Sequence, residues 1–369
     1  MKYILAGILL QAAFGLLTSL PLGAQSGPLS SDESELLNYI RGENADFACG
    51  VCLNAARLHA ESASRKEVGT AAPVQVGTAA PVQVGTAAPV QVGTAAPVQV
   101  VTAAPKQRES AARKKQLRKV KDMALVPGGA RRLGSPVGTG DPDEKPAAQI
   151  TLSPFYMDKT EVTIGNYAAF TLVTGANFPE WQKPEGKFNL ETGRDKYYEH
   201  LEGVIKTCPS CPVVGVAWED AAAYCRWKKK RLPTEAEWEA AARAGSSELY
   251  SFGKSSANAE AFAWLETNSG GTPHPVGVKK PNKYGLSDLH GNVWEWVSDR
   301  YDRTYYSQRP SKDPQGPATG EEYVIRGGSW NSDADSARCG NRASTADPND
   351  DIGFRCVITE SELSAEPEQ

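Results

Sequence analysis

The chain has 369 residues, 40 Lys and Arg against 44 Asp and Glu, and a formal net charge of −4. That balance gives no global attraction to nucleic acid or to an anionic membrane, and the length suits one large domain or two ordinary ones. With 34 Gly and 25 Pro the fold is expected to be rich in loops, and 8 Trp supply aromatic anchors for a core.

Residues 1–24 read as a secretory signal. Lys2 gives a positive start, Tyr3 to Leu17 is apolar, and Leu22-Gly-Ala24 can precede a cut before Gln25. Gln11, Thr18 and Ser19 interrupt the run and Pro21 follows it, which argues against a retained membrane helix. No Cys precedes Cys49 to carry a lipid, and no later stretch is long and apolar enough to span a bilayer. The expected address is periplasmic or secreted, with no integral membrane segment after signal cleavage.

Residues 25–66 read as a helical segment. Ser30-x-x-Glu33 has capping-box spacing, and Leu36, Leu37 and Ile40 line one stripe. A second helical stretch, Ala45 to Ser62, puts Cys49 and Cys52 on one face. In residues 67–107 the unit Val-Gly-Thr-Ala-Ala-Pro-Val-Gln runs four times from Val68 to Gln99, followed by a decayed copy. Proline every eighth residue forbids a continuous helix, and the unit is too poor in large apolar groups to bury a core. It reads as a linker or stalk. Residues 108–122 are strongly basic and lead into a domain spanning 123–360, with an acidic tail at 361–369.

Inside the domain, Leu125-Val126 before Pro-Gly-Gly reads as a strand ending in a turn, and Ile150 to Met157 alternates like one strand. Helices are expected over Thr163–Phe170, Trp218–Lys229 and Thr234–Arg243, the last capped by Thr234 and stopped by Gly245. Residues 176–211 read as a long irregular insertion rimming a surface. From Tyr250 on few regular elements are visible. The fold class is α+β with long loops.

The densest stretch is Tyr284 to Asp299. Gly285, Gly291 and Asn292 suit positive φ. Trp294 and Trp296 point the same way if the segment is extended. Asp288, the carbonyls of Gly291 and Val293, and Glu295 can converge as oxygen ligands for a hard cation such as calcium, in a structural role. A polar turn capped by two core tryptophans is the plainer reading.

This stretch also carries a resemblance. Gly-Asn-Val-Trp-Glu-Trp, Gly291 to Trp296, resembles the signature of the formylglycine-generating enzyme, or sulfatase-modifying factor, family. Further matches follow family order: Met123 to Gly129, Tyr156 to Val162, Pro212 to Trp218, Arg231 to Trp238, Arg326-Gly-Gly-Ser-Trp330 and Gly353-Phe-Arg-Cys356. The resemblance implies a modified C-type-lectin-like fold with little regular secondary structure. It implies a disulfide between Cys225 and Cys356, and a calcium site at the positions of Asp288, Gly291, Val293 and Glu295. A second family calcium site would lie near Ala263 to Gly271.

The family's oxidase holds copper(I) with two cysteines just after the Gly-Gly-Ser-aromatic motif, because soft thiolates select that ion. Here Ser332 stands at the first position, and Asp333 to Ala337 contains no Cys. Cys339 lines up with a structural cysteine whose partner position is Ala242. Copper is therefore not expected. An iron branch of the family needs a histidine cluster, which His59, His200, His274 and His290 do not form by spacing. No phosphate loop, HExxH helix or nucleophile elbow is present. The two C-x-x-C pairs, Cys49/Cys52 and Cys208/Cys211, leave a shared zinc site, two local disulfides or a redox role open.

What remains is a scaffold with a polar surface from Asn331 to Asp351, whose short side chains offer adaptable hydrogen bonds. Trp294, Ser329, Trp330 and Arg342 are expected to frame a ligand site, with Asn331, Ser332, Asp333 and Asp335 supplying specificity. The expected role is a non-catalytic binding or accessory module for a protein, peptide or glycan, with no nucleic-acid partner. A formylglycine-generating oxidase or other metal-dependent oxidoreductase is the alternative, and a purely structural surface protein a third reading.

Overall fold

The computed structural model describes residues 120–364. The signal, the helical segment with Cys49 and Cys52, the repeats, most of the basic segment and residues 365–369 lie outside the described residues.

Three small sheets and five helices organise the described part. β1 (Met123–Val126) runs into Pro127-Gly-Gly. Gly128 has no room for a Cβ, which would lie 2.8 Å from Pro154 Cδ, and Gly129 turns at φ 111°. β2 (Gly129–Leu133) pairs antiparallel with β3 (Ala148–Leu152). β4 (Phe155–Asp158) pairs with β1 and, on its other side, with β9 (Val357–Thr359). The single strand expected over 150–157 is thus two strands in two sheets. Ser153-Pro154 separates them, because proline has no N–H to continue a ladder.

α1 (Ile164–Thr174) is capped by Thr163, whose Oγ1 accepts the Asn166 N–H at 3.2 Å, and ends at Gly175 in the left-handed region. It buries Tyr167 and Phe170 against Tyr224 and Phe354. The stretch 176–211 is largely irregular but adds a short helix, α2 (Glu202–Thr207), which periodicity did not reveal. It also contributes Trp181, Tyr198, Leu201 and Ile205 to the main core.

α3 (Trp218–Trp227) carries Cys225, bonded to Cys356 just before β9. α4 (Glu235–Arg243) opens with the full capping box of Thr234 and Glu237. It ends at Arg243 as expected, with Ala244 at φ 47° as its cap and Gly245 at φ 82° after it.

β5 (Trp294–Arg300) lies at the centre of a four-stranded sheet, β7-β6-β5-β8, with β6 at Tyr323–Arg326, β7 at Ala343–Thr345 and β8 at Ile352–Gly353. Both faces of β5 are covered. Trp294 and Trp296 point to the core of α1 and α3, while Val297 joins Trp238 in a second core beside α4. α5 (Glu360–Ser364) places Leu363 with Val120, Met123 and Ile358, so packing reaches into both the basic segment and the acidic tail. The C-terminal strands escaped sequence reading because β7 to β9 are two or three residues long.

Candidate functional site

β6 delivers the chain to Gly327 and Gly328 at φ 104° and 73°. Only glycine fits there: a Cβ on Gly327 would meet Trp238 and one on Gly328 would meet Ala337. The turn that follows closes on itself. Ser329 N–H donates to Ser332 Oγ at 3.0 Å, the two hydroxyls stand 3.0 Å apart, and Ser329 Oγ donates to Asp351 Oδ2 at 2.8 Å. Burial raises the Asp351 carboxyl to about 6, against the lowering effect of the Ser329 hydrogen bond.

Trp330 is held by its backbone. Its N–H donates to Asn292 O at 2.8 Å, and its carbonyl accepts Ser269 Oγ at 2.7 Å. Its ring lies 5.9 Å from His200, which reaches over from the 176–211 stretch. His200 Nε2 stands 2.9 Å from Asp350 Oδ2, and Tyr197 OH donates to Asp350 Oδ1 at 3.0 Å and to Asn349. A shelf results: the Ser329–Ser332 turn, Trp330, the Asn349–Asp351 loop and the clasp of Tyr197 and His200.

Of the expected ligand-binding residues, Ser329, Trp330 and Ser332 come together on this shelf. Trp294 joins through its N–H to Asp351 O at 2.8 Å. Asn331, Asp333 and Asp335 are exposed on the adjoining turn. Asp333 accepts the Ser336 N–H, which lowers its carboxyl, and Asp335 pairs with Arg338 at 2.8 Å. Arg342 does not frame the site. Its side chain is fully buried, forked onto Glu235 at 2.6 and 2.9 Å, with Nη1 on Asp143 O. Ser329 is fully buried as well and shapes the turn from beneath. Tyr197 and His200 were missed because their segment has no periodicity to place it. Asp350 and Asp351 were visible only as part of a polar stretch.

The expected calcium ligands divide. Asp288, at φ 61°, accepts the Gly277 N–H at 2.6 Å through Oδ2, while its buried Oδ1 has no hydrogen-bond partner. Beside it stands a carboxylate the sequence did not single out. Glu161 accepts Asn292 Nδ2 at 3.0 Å through Oε1 and leaves Oε2 buried without a hydrogen bond. Burial raises both acids, and each is pushed further from its ordinary value or back by neighbours: Asp288 raises Glu161, and the Gly277 N–H lowers Asp288. Glu295 lies near both acids but is committed to other partners. Both its oxygens accept from Arg355, at 2.7–3.0 Å, and Oε2 also accepts Trp238 Nε1. Gly291 has no space for a side chain, since a Cβ would overlap Trp264 O, and Val293 is core. Among the described residues no three His, Cys, Asp or Glu side chains are grouped to hold a metal ion.

Among the described residues the remaining histidines and cysteines are buried or held by neighbours. His290 is buried between Ala337 O at 2.7 Å and Ser251 Oγ at 2.9 Å, and burial lowers it to about 4. His274 stacks on Trp264 at 3.7 Å. Cys339 is the free cysteine among the described residues; it is buried, which pushes its thiol up to about 12. Cys208 and Cys211 are bonded to each other. No helix among the described residues is long and apolar enough to cross a membrane.

Known proteins share this framework. The model of the sulfatase-modifying factor enzyme 1-like domain matches residues 107–360. Formylglycine-generating enzyme of Streptomyces coelicolor is 34% identical over 298 residues, covering 65% of this chain and 90% of that protein. Mouse inactive C-alpha-formylglycine-generating enzyme 2 is 31% identical, covering 66% of this chain and 88% of its own length. The solved structure of PvdO from Pseudomonas aeruginosa superposes with a TM-score of 0.54 at 29% identity, over 65% of this chain and 95% of that one. The chain therefore belongs to the sulfatase-modifying factor enzyme 1-like domain family and has its modified C-type-lectin-like α+β fold.

Proposed function

We propose that this protein is an extracytoplasmic binding or accessory member of its family, without the copper oxidase chemistry. One observation carries the reading. The position where the oxidase needs a first thiolate is Ser332, and its hydroxyl is spent closing the turn onto Ser329. The one free thiol among the described residues, Cys339, is buried and strongly disfavours the thiolate that copper(I) requires. The exposed residues Asn331, Asp333 and Asp335, beside Trp330 and the His200–Asp350 clasp, supply the ligand contacts, for a protein, peptide or glycan.

A calcium ion fits the same reading as a structural group. The orphaned oxygens of Asp288 and Glu161 are hard ligands in a pocket short of positive charge, with the carbonyls of Gly291 and Val293 on the same loop. Glu161 takes the role expected of Glu295, whose carboxylate Arg355 already neutralises. The ion supplies charge compensation that orders this loop.

The test is a copper(I) titration of the reduced protein against a competing chelator, alongside a cysteine peptide from a sulfatase. We expect no stoichiometric copper and no aldehyde product. One tight copper per chain with aldehyde formation would overturn the proposal and establish the formylglycine-generating oxidase instead.

A further inference from the structure

We propose that Cys208–Cys211 is a thiol–disulfide exchange site, opened by attack of an external dithiol on Cys208. The two disulfides of the described domain differ in kind. Cys225–Cys356 joins residues 131 apart and both cysteines are fully buried, so it cross-links α3 to the start of β9 inside the core. Cys208–Cys211 spans three positions and closes a single turn. A loop that small removes little entropy from the unfolded chain, so its contribution to stability is the lesser of the two.

Its two sulfurs are also unequal. Cys208 is half-buried, and its Sγ faces Ser210 Oγ at 3.7 Å on the exposed side of the turn, next to exposed Pro209. Cys211 is buried, with its Sγ 3.9 Å from Pro273 O. An incoming thiolate can therefore reach Cys208 and not Cys211.

The turn also holds its neighbours. Pro209 O and Cys211 O accept the N–H groups of Gly165 and Ile164 at the start of α1, each at 2.9 Å, and Ser210 O accepts Val276 N–H at 3.0 Å. Cys208 caps the end of α2, eight residues after His200 and eleven after Tyr197 on the shelf. The state of this disulfide thus bears on the segment that clasps Asp350.

The exchange balances as follows. A thiolate of the dithiol forms a bond to Cys208 Sγ as the Cys208–Cys211 bond breaks. The electron pair goes to Cys211, which takes up a proton. The second thiolate of the dithiol then attacks its own bonded sulfur, and Cys208 leaves and is protonated. Two electrons and two protons pass to the protein, and the dithiol becomes a disulfide.

The experiment is a dithiothreitol titration of the full folded chain, quenched by alkylation and read by peptide mapping. A parallel series with glutathione separates a dithiol from a monothiol partner. Cys208 and Cys211 are expected to become alkylated at a dithiol concentration at least about tenfold below that needed for Cys225 and Cys356. In Cys211→Ser the remaining Cys208 thiol is expected to form a mixed disulfide rapidly with added oxidised glutathione, releasing one reduced glutathione, whereas in Cys208→Ser the Cys211 thiol reacts slowly. Simultaneous opening of both disulfides, reduction only in denaturant, or faster trapping at Cys211 would overturn the assignment. Reduction by glutathione as readily as by the dithiol would overturn the dithiol partner.

Discussion

Two groups of buried carboxylates lie near β5, and they are neutralised in opposite ways. Along α4, Glu235 is forked onto Arg342, and Glu239 contacts Arg243 at 2.8 Å and Arg326 at 3.3 Å. Burial alone would raise Glu239, yet Arg243 and Arg326 outweigh it and hold the carboxyl at about 2. In the other group Glu161, Asp288 and Glu295 share one guanidinium, Arg355, which Glu295 occupies. There burial wins, and Glu161, Asp288 and even the Arg355-paired Glu295 rise. Equal burial thus gives opposite shifts, decided by the count of cations. A paired interior carboxylate is structural, and an orphaned one marks where a cation or a proton is missing.

The strongest way to break this comparison is to remove the one shared cation. Arg355→Met should cost on the order of 3–5 kcal/mol, because it leaves Glu295 buried and unpaired. Urea unfolding at constant m-value measures it. A loss under about 1 kcal/mol would mean the acidic side does not rely on Arg355 at all.

Calcium sharpens the same contrast at a smaller scale. At a concentration a hundredfold above its dissociation constant, calcium should stabilise the wild type by about 2.7 kcal/mol. The double variant Glu161→Gln, Asp288→Asn should lose that response. In chelator it should be no less stable than wild type, since it removes two unpaired acids. Differential scanning calorimetry with and without chelator decides; a calcium response that survives the double variant would place the ion elsewhere.

A further effect, read in the pH dependence of stability, lies on the shelf. Asp351 has a folded-state value of about 6 against an ordinary 3.8. The native state therefore binds its proton more tightly than the unfolded chain, so this group's stabilisation is full below about 4 and is lost as pH rises through about 6. Asp351→Asn should flatten that part of the stability–pH profile. An unchanged profile would mean that Asp351 is not the titrating group.

Much of this arrangement was legible beforehand, where local chemistry decides it. Thr234 and Glu237 close their capping box within four residues, and Trp294 and Trp296 face one core because strand alternation requires it. The motif order also gave the family, and with it the Cys225–Cys356 bond. Arg342 was misjudged for a physical reason: an arginine beside a polar loop reads as surface until a distant carboxylate claims it, and Glu235 lies 107 positions away. Glu161 was overlooked because nothing in Tyr-Met-Asp-Lys-Thr-Glu-Val marks a carboxylate that will be buried next to Asp288.

By itself the sequence determined the turns, caps, strand alternation and lack of either thiol at Ser332 and Asp333 to Ala337, since each depends on residue type and near-neighbour spacing. Only the tertiary structure decided which charges are neutralised and which sulfur of Cys208–Cys211 meets solvent. It also decided that Tyr197 and His200 reach Asp350. Those outcomes depend on burial and on contacts between residues far apart in the chain, and electrostatic energies change sign with them.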